Sequence, residues 1–430
     1  MIKTNIKTAL LLLIGLMTGF SMVACNDDDE TDTGADPVIK YFRPTDAAKA
    51  DSMIVDLSLG QTVAMIGENL DNIIGISFND QAVALNPCYI TPTAVIFTTP
   101  VAIPNKVTNI LYLTCKNGKT IEYPVETILP KPAIDNVNKG YLKAGEVVTI
   151  KGNYFIPTEE IPITITLPGG KTVSPDESST YTQLSFTVPE DITESGVLSV
   201  ESAFGTTNWP YKIYTYADLK ESNVEGLLFD FDGKNGAMAA ANGWRPGNAA
   251  IPTVELSGNA CLFDNKGAAL EGKLDWIEDN MTLNYWPDAT DNILTRIPVT
   301  DITKFAYQLE IFVENPWTGL CFAVQPTSLE TVSAANNNNQ YYATVASYLY
   351  EPFIAEPNFT TNGEWITITM PLTEFTKTIE GKSIDAPKVE DLAGLTIRWA
   401  GAGTATDVNA LPKMQPKLYF DNVRLVEMKY

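Results

Sequence analysis

The chain is 430 residues long, 45% hydrophobic, without histidine and formally charged −23 at neutral pH. That length accommodates about two to four domains with ample core, and its dispersed Lys and Arg argue against nucleic acid and anionic membrane surfaces, which need concentrated basic groups. The missing histidine removes the commonest general base, the Ser-His-Asp arrangement and nearly every catalytic zinc site, and no cofactor is expected.

Residues 1–24 carry Lys3 and Lys7, an apolar run over 9–20 and then Ser21-Met22-Val23-Ala24, the basic, apolar, small-residue order of a secretory signal. The run is shorter than the roughly 20 apolar residues that span a bilayer. Val23-Ala24-Cys25, with Met22 where Leu is usual, resembles a bacterial lipobox, which implies lipidation of Cys25 and two acyl chains, the condition for stable anchoring. Residues 25–36 form an acidic tether with Asp27, Asp28, Asp29 and Glu30, too polar to bury and expected to be disordered. Acid directly after such a Cys resembles the surface-export signal of lipoproteins in Gram-negative Sus-type glycan-uptake systems.

Residues 37–130 and 131–214 repeat one another. Pro37-Val38-Ile39 matches Pro132-Ala133-Ile134, Gly60 to Gly67 matches Gly145 to Gly152 with the same spacing, and Val95 to Pro100 matches Leu184 to Pro189. Val63 and Met65, then Val147 and Thr149, are read as alternating strand positions, with Gly67 and Gly152 ending each strand at a positive φ. Pro130 and Pro132 make the link between the copies short and stiff. Both units resemble IPT/TIG immunoglobulin-like β-sandwiches.

Residues 215–430 hold Trp244, Trp276, Trp286, Trp317, Trp365 and Trp399, leaving only Trp209 outside. Short Val-, Ile-, Thr- and Tyr-rich runs between turn residues predict strands over 226–231, 304–313, 319–324, 342–350, 364–370, 394–399 and 417–426, a single jelly-roll-like β-sandwich. The whole chain is therefore expected to be all-β. Cys88, Cys115, Cys261 and Cys321 form no CxxC pair and sit in strand-like runs, so two disulfides and buried thiols both stay open.

Three chemistries compete for this last domain. Glycoside hydrolysis needs two carboxylates about 5 Å apart or wider, and although Glu271, Asp275, Glu278 and Asp279 flank Trp276, their spacing does not set a pair on one strand face. Asp230-Phe231-Asp232-Gly233-Lys234 departs from a calcium loop at Lys234 and Ala241, leaving strand-end acids, with a structural calcium shared with Asp421 as the weaker alternative and no metal expected. Sugar binding needs exposed aromatic faces beside amides and carboxylates. Asn284-Tyr285-Trp286-Pro287-Asp288 and Glu314-Asn315-Pro316-Trp317 supply both in turn-rich settings. Trp365 and Trp399 read as structural.

The lipobox, acidic leader, paired IPT/TIG units and a terminal domain running from Leu227 to Gly233, through Gly363 to Leu372, to Tyr419 to Leu425 together resemble the surface glycan-binding protein B family. The resemblance implies a non-catalytic, lipid-anchored protein of the Gram-negative outer-membrane surface. It would bind β-glucan or a related hemicellulose on an aromatic platform in its last domain, with Ig-like spacers, beside an outer-membrane transporter complex and a surface glycoside hydrolase. The family platform implies Tyr285 and Trp286, with Trp244, Trp276 or Trp317 as a further member. An adhesin for a protein ligand and a glycoside hydrolase are the competing readings.

Overall fold

The computed structural model describes residues 34–49, 51–158, 160–234, 248–265, 267, 281–285, 289–330, 344–400 and 414–430. Cys25, Trp244, Trp276 and Trp286 lie outside them, as do Glu271, Asp275, Glu278 and Asp279. Among the described residues, helix amounts to Tyr216–Lys220, Ile293–Arg296, residues 329–330 and short 3-10 turns, so the chain is all-β as read. It forms two compact units, Met1–Ile128 and Leu129–Tyr430.

The first unit is a small sandwich. Val38–Pro44, Thr62–Glu68 and Ala94–Thr98 form one antiparallel sheet, Gln81–Ala82, Ile73–Phe78, Ile110–Cys115 and Thr120–Pro124 the other, and Asp56–Ser58 pairs in parallel with Glu126–Ile128. Phe42, Val63, Met65, Ile76, Phe78, Leu111 and Leu113 fill the space between them.

The second unit begins with the same plan. Ala133–Val137, Val147–Asn153 and Gln183–Thr187 form a three-stranded sheet, Thr172–Val173, Thr164–Thr166, Ser199–Ser202 and Gly205–Asn208 a four-stranded one, and Tyr141–Leu142 pairs in parallel with Tyr214–Thr215. Both copies shift register in their first strand, between Ile39 and Tyr41 and between Ile134 and Asn136.

Two details of the repeat differ from expectation. Val147 is 40% exposed, whereas Val148 and Ile150 are buried; counted from Gly60 and Gly145, these are the true partners of Val63 and Met65, because side chains alternate with period two. Gly67 and Gly152 lie inside their strands, and it is Gly60 and Gly145 that have positive φ. A Cβ at Gly67 would collide with the carbonyl oxygen of Val38, and one at Gly152 with that of Ala133. Close approach at the bulged first strand, not backbone handedness, demands glycine there.

The C-terminal sandwich pairs a six-stranded with a four-stranded antiparallel sheet. The first runs Ala249–Ala250, Ala260–Asp264, Lys417–Glu427, Phe305–Val313, Ile366–Pro371, with Leu227–Phe229 also on Lys417–Glu427; the second runs Thr282–Tyr285, Gly394–Ala400, Cys321–Thr327, Tyr348–Tyr350. Their facing side chains, among them Leu309, Ile311, Phe322, Ile368, Ile397, Trp399 and Phe420, make the core.

All nine residues of Phe305–Val313 are buried, so its second face is covered as well. The second Ig-like sandwich covers it. Ala306 and Val426 join that sandwich's core, and Phe312, Trp365 and Tyr419 cluster with Tyr141, Tyr214 and Leu219. Between these apolar ends lies a polar seam. The Arg424 guanidinium donates to both oxygens of Glu310 at 2.8 Å, with both side chains fully buried. Thr367 Oγ1 donates to Glu310 at 3.0 Å and accepts from the Gly140 N–H at 2.6 Å, and the Thr367 N–H donates to the Asn138 carbonyl at 2.8 Å. A Cβ at Gly140 would sit 2.9 Å from the guanidinium, so a larger residue there would have to displace the end of the Arg424 side chain.

Candidate functional site

The four-stranded sheet of the C-terminal sandwich carries the polar groups that could meet a ligand. Leu283 and Tyr285, Leu395, Ile397 and Trp399, Phe322 and Val324, and Tyr348 and Tyr350 belong to or pack on the core. Strand alternation therefore turns Thr282, Asn284, Thr396, Arg398, Gln325 and Thr327 to the opposite face. Register aligns Asn284 with Thr396 and Thr396 with Gln325, a polar row across adjacent strands. Thr396 Oγ1 donates to Asn284 Oδ1 at 3.0 Å, and Gln325 Nε2 to Ser347 Oγ at 2.9 Å.

That row is buried yet incompletely bonded. Thr282, Asn284 and Thr327 are at most 1% exposed, and Thr282 Oγ1, Asn284 Nδ2 and Thr327 Oγ1 have no hydrogen-bond partner. Buried donors and acceptors are nearly always paired, so three open groups on one sheet face set this face apart, although they are covered and not solvent-facing. Only Asn284 was singled out from the sequence. The others were legible in principle, since Leu395-Thr396-Ile397-Arg398-Trp399 puts polar residues at every second position of a buried strand.

The aromatic residues fare differently. Trp317 was expected to be exposed and is 1% exposed: its ring meets Trp399 edge-on at 4.6 Å, and Nε1 donates to the Leu320 carbonyl at 2.9 Å. Tyr285, the other expected platform ring, is 1% exposed, edge-on to Phe229, with its hydroxyl donating to the Asp291 carbonyl at 3.1 Å. Both expectations of exposure are corrected: Tyr285 lies on the core side of its sheet, and Trp317 packs into the same core from the loop before Cys321–Thr327. Trp286, Trp244 and Trp276 fall outside the described residues. Trp399 and Trp365 are buried as read, but Trp365 is covered by the neighbouring sandwich rather than by its own core.

The acids at the strand ends are engaged by the chain itself. Asp230 accepts from the N–H groups of Asp232, Gly233 and Lys234. The Lys234 ammonium donates to the carbonyls of Lys220 at 2.9 Å and Ser257 at 2.8 Å and lies 3.3 Å from Asp232. A cation therefore already occupies the oxygen cradle that a calcium would need. Asp421 is bonded to Ser257 and to the Asn422 N–H, and burial drives its carboxyl well above the ordinary carboxylate range. Among the described residues no group of three Cys, Asp or Glu could hold a metal. Cys115, Cys261 and Cys321 are buried, and Cys115 and Cys261 are free thiols, so the buried-thiol alternative holds for these two.

Comparison with known proteins places this sandwich. Residues 221–427 match the family model of the surface glycan-binding protein B xyloglucan binding domain. An IPT/TIG domain-containing protein of Bacteroides ovatus is 31% identical over 215 residues, covering 44% of this chain and 42% of that relative, so the chain matches less than half of that curated relative's length. The crystal structure of a surface glycan-binding protein from Prevotella bryantii superposes with a TM-score of 0.76 at 25% identity, covering 92% of this chain and 100% of that one. The domain match falls on the C-terminal sandwich, and the structural likeness to a surface glycan-binding protein extends through both Ig-like units as well.

Proposed function

We propose that this chain is a non-catalytic surface protein that binds a neutral β-glucan, of the xyloglucan or mixed-linkage class, through its C-terminal sandwich. The observation that carries the reading is the family match over residues 221–427, laid on a sandwich whose four-stranded sheet turns an incompletely bonded polar face away from the core. The matching family model is described as a xyloglucan binding domain, which supports the ligand class. Hydroxyls of a glucan chain are both donors and acceptors, which matches the mix of amide, hydroxyl and guanidinium groups on that face.

Aromatic stacking in this reading falls to Trp286, which follows Tyr285 directly in sequence, with Trp244 and Trp276 as further members. Cys25 is proposed to carry the lipid anchor, and residues 25–36 to hold the body off the outer membrane beside a transporter complex and a surface glycoside hydrolase. Affinity electrophoresis of the mature chain through gels containing xyloglucan, mixed-linkage β-glucan, mannan or starch tests the reading. Retardation by the β-glucans, without release of reducing ends, is expected. Retardation by none would reject glycan binding, and reducing-end release would favour a hydrolase. Cys25→Ala is expected to leave the body folded and free of membranes.

A further inference from the structure

The Leu129–Tyr430 unit also holds a cleft of about 700 Å³ between its two sandwiches. Three strands that end their sheets meet there: Ala133–Val137 from the Ig-like unit, and Ile366–Pro371 and Tyr348–Tyr350 from the two sheets of the C-terminal sandwich. The volume lies within the range of ordinary ligand sites, which combine aromatic walls with a few placed polar groups.

The aromatic wall is Trp209, Tyr211, Tyr348, Tyr350 and Phe359. Tyr211 is 2% exposed, and its hydroxyl has no hydrogen-bond partner. Facing it is Glu374, at the end of the turn Leu372–Glu374. Burial, and then the Glu374 charge, push the phenols of both Tyr211 and Tyr348 up to about 12, and burial raises the Glu374 carboxyl. Three oxygen groups from three elements thus converge on one space. Asn136 and Asn138 add amides, and the charged residues of the lining are Asp135, Glu374 and Lys151, net negative by one.

We propose that this cleft is a second glycan site, taking a short neutral oligosaccharide whose sugar face lies on the aromatic wall. One sugar hydroxyl accepts from Tyr211 and donates to Glu374, which supplies the partner the buried phenol lacks. The site is composite: neither sandwich alone has both the phenol and the carboxylate. It rests on the glycan reading of the chain but is separable from the polar sheet face and Trp286.

The test is isothermal titration of the whole mature chain with a xylogluco-oligosaccharide, reading stoichiometry. The expected result is a second ligand per chain that disappears in Tyr211→Phe/Glu374→Gln with unchanged unfolding temperature and persists in Trp286→Ala. Glu374→Gln alone alters an exposed side chain and should weaken the second event about tenfold or more. A single ligand per chain, or a second one indifferent to both substitutions, would overturn the cleft site while leaving the sheet-face reading intact. No binding by the unsubstituted chain would overturn the glycan reading and the cleft with it.

Discussion

Truncating Trp317 to Ala removes a side chain packed against Trp399, Phe322 and Tyr350, and is expected to cost about 3–5 kcal/mol of stability. Trp286→Ala is expected to leave the unfolding temperature unchanged and to lose one stacking contact of about 1–3 kcal/mol, five- to more than a hundredfold in affinity. Thermal unfolding beside titration separates the two effects; lost stability at Trp286 would return that residue to the core. Trp317 was misread because Asn315, Pro316 and Gly319 have the composition of a surface loop. What draws the ring inward is the Leu320 carbonyl, presented by a left-handed residue, and Trp399 from a strand far along the chain. Neither is visible locally. Asp421 offers a pH test. Its folded pKa is raised above the unfolded one, first by burial, so between those values the folded chain holds a proton that the unfolded chain has lost. This group's contribution therefore weakens as pH rises through that window. Denaturant unfolding should show Asp421→Asn gaining stability relative to the unsubstituted chain as pH rises above about 4; a difference independent of pH would show that the carboxyl titrates normally.

At the scale of elements, the strand pattern was largely legible. Expected runs at 304–313, 394–399 and 417–426 became Phe305–Val313, Gly394–Ala400 and Lys417–Glu427, because near-continuous apolar runs bounded by turn residues leave little alternative. Thr282–Tyr285 was read as part of a loop, since Pro287 and Asp288 dominate its composition, although Leu283 and Tyr285 alternate with Thr282 and Asn284 as a strand requires. That omission concealed most of the polar face. The seam around Arg424 was equally hidden: a lone Arg in Asp421-Asn422-Val423-Arg424-Leu425 looks solvated until its partner strand supplies Glu310. Arg424→Met leaves the Glu310 carboxylate buried without its bidentate partner and is expected to cost about 3–5 kcal/mol. Arg424→Met/Glu310→Leu should recover much of that loss in chemical denaturation. If the double substitution is as unstable as the single one, the guanidinium matters through packing and not through charge.

At the scale of the molecule, the repeat was visible from its glycines and prolines, but the packing of its second copy was not. Tyr214 separates two sets of sheets by sequence, yet Trp365, Phe312 and Tyr419 are buried by the Ig-like sandwich, so the family notion of that unit as a mere spacer gives way to one compact Leu129–Tyr430 body. Nothing in a strand's own sequence says which neighbour covers its second face; Thr367 and Thr369 beside Trp365 read equally well as solvent-facing. A fragment starting near residue 217 would expose this seam, and is expected to melt below one starting at Leu129. The most direct test of the central claim is therefore isothermal titration of the Leu129–Tyr430 fragment with xyloglucan beside the whole mature chain. The account expects affinities equal within a few-fold, with no reducing ends released. No heat from the fragment with xyloglucan or mixed-linkage β-glucan, where the whole chain binds, would contradict it.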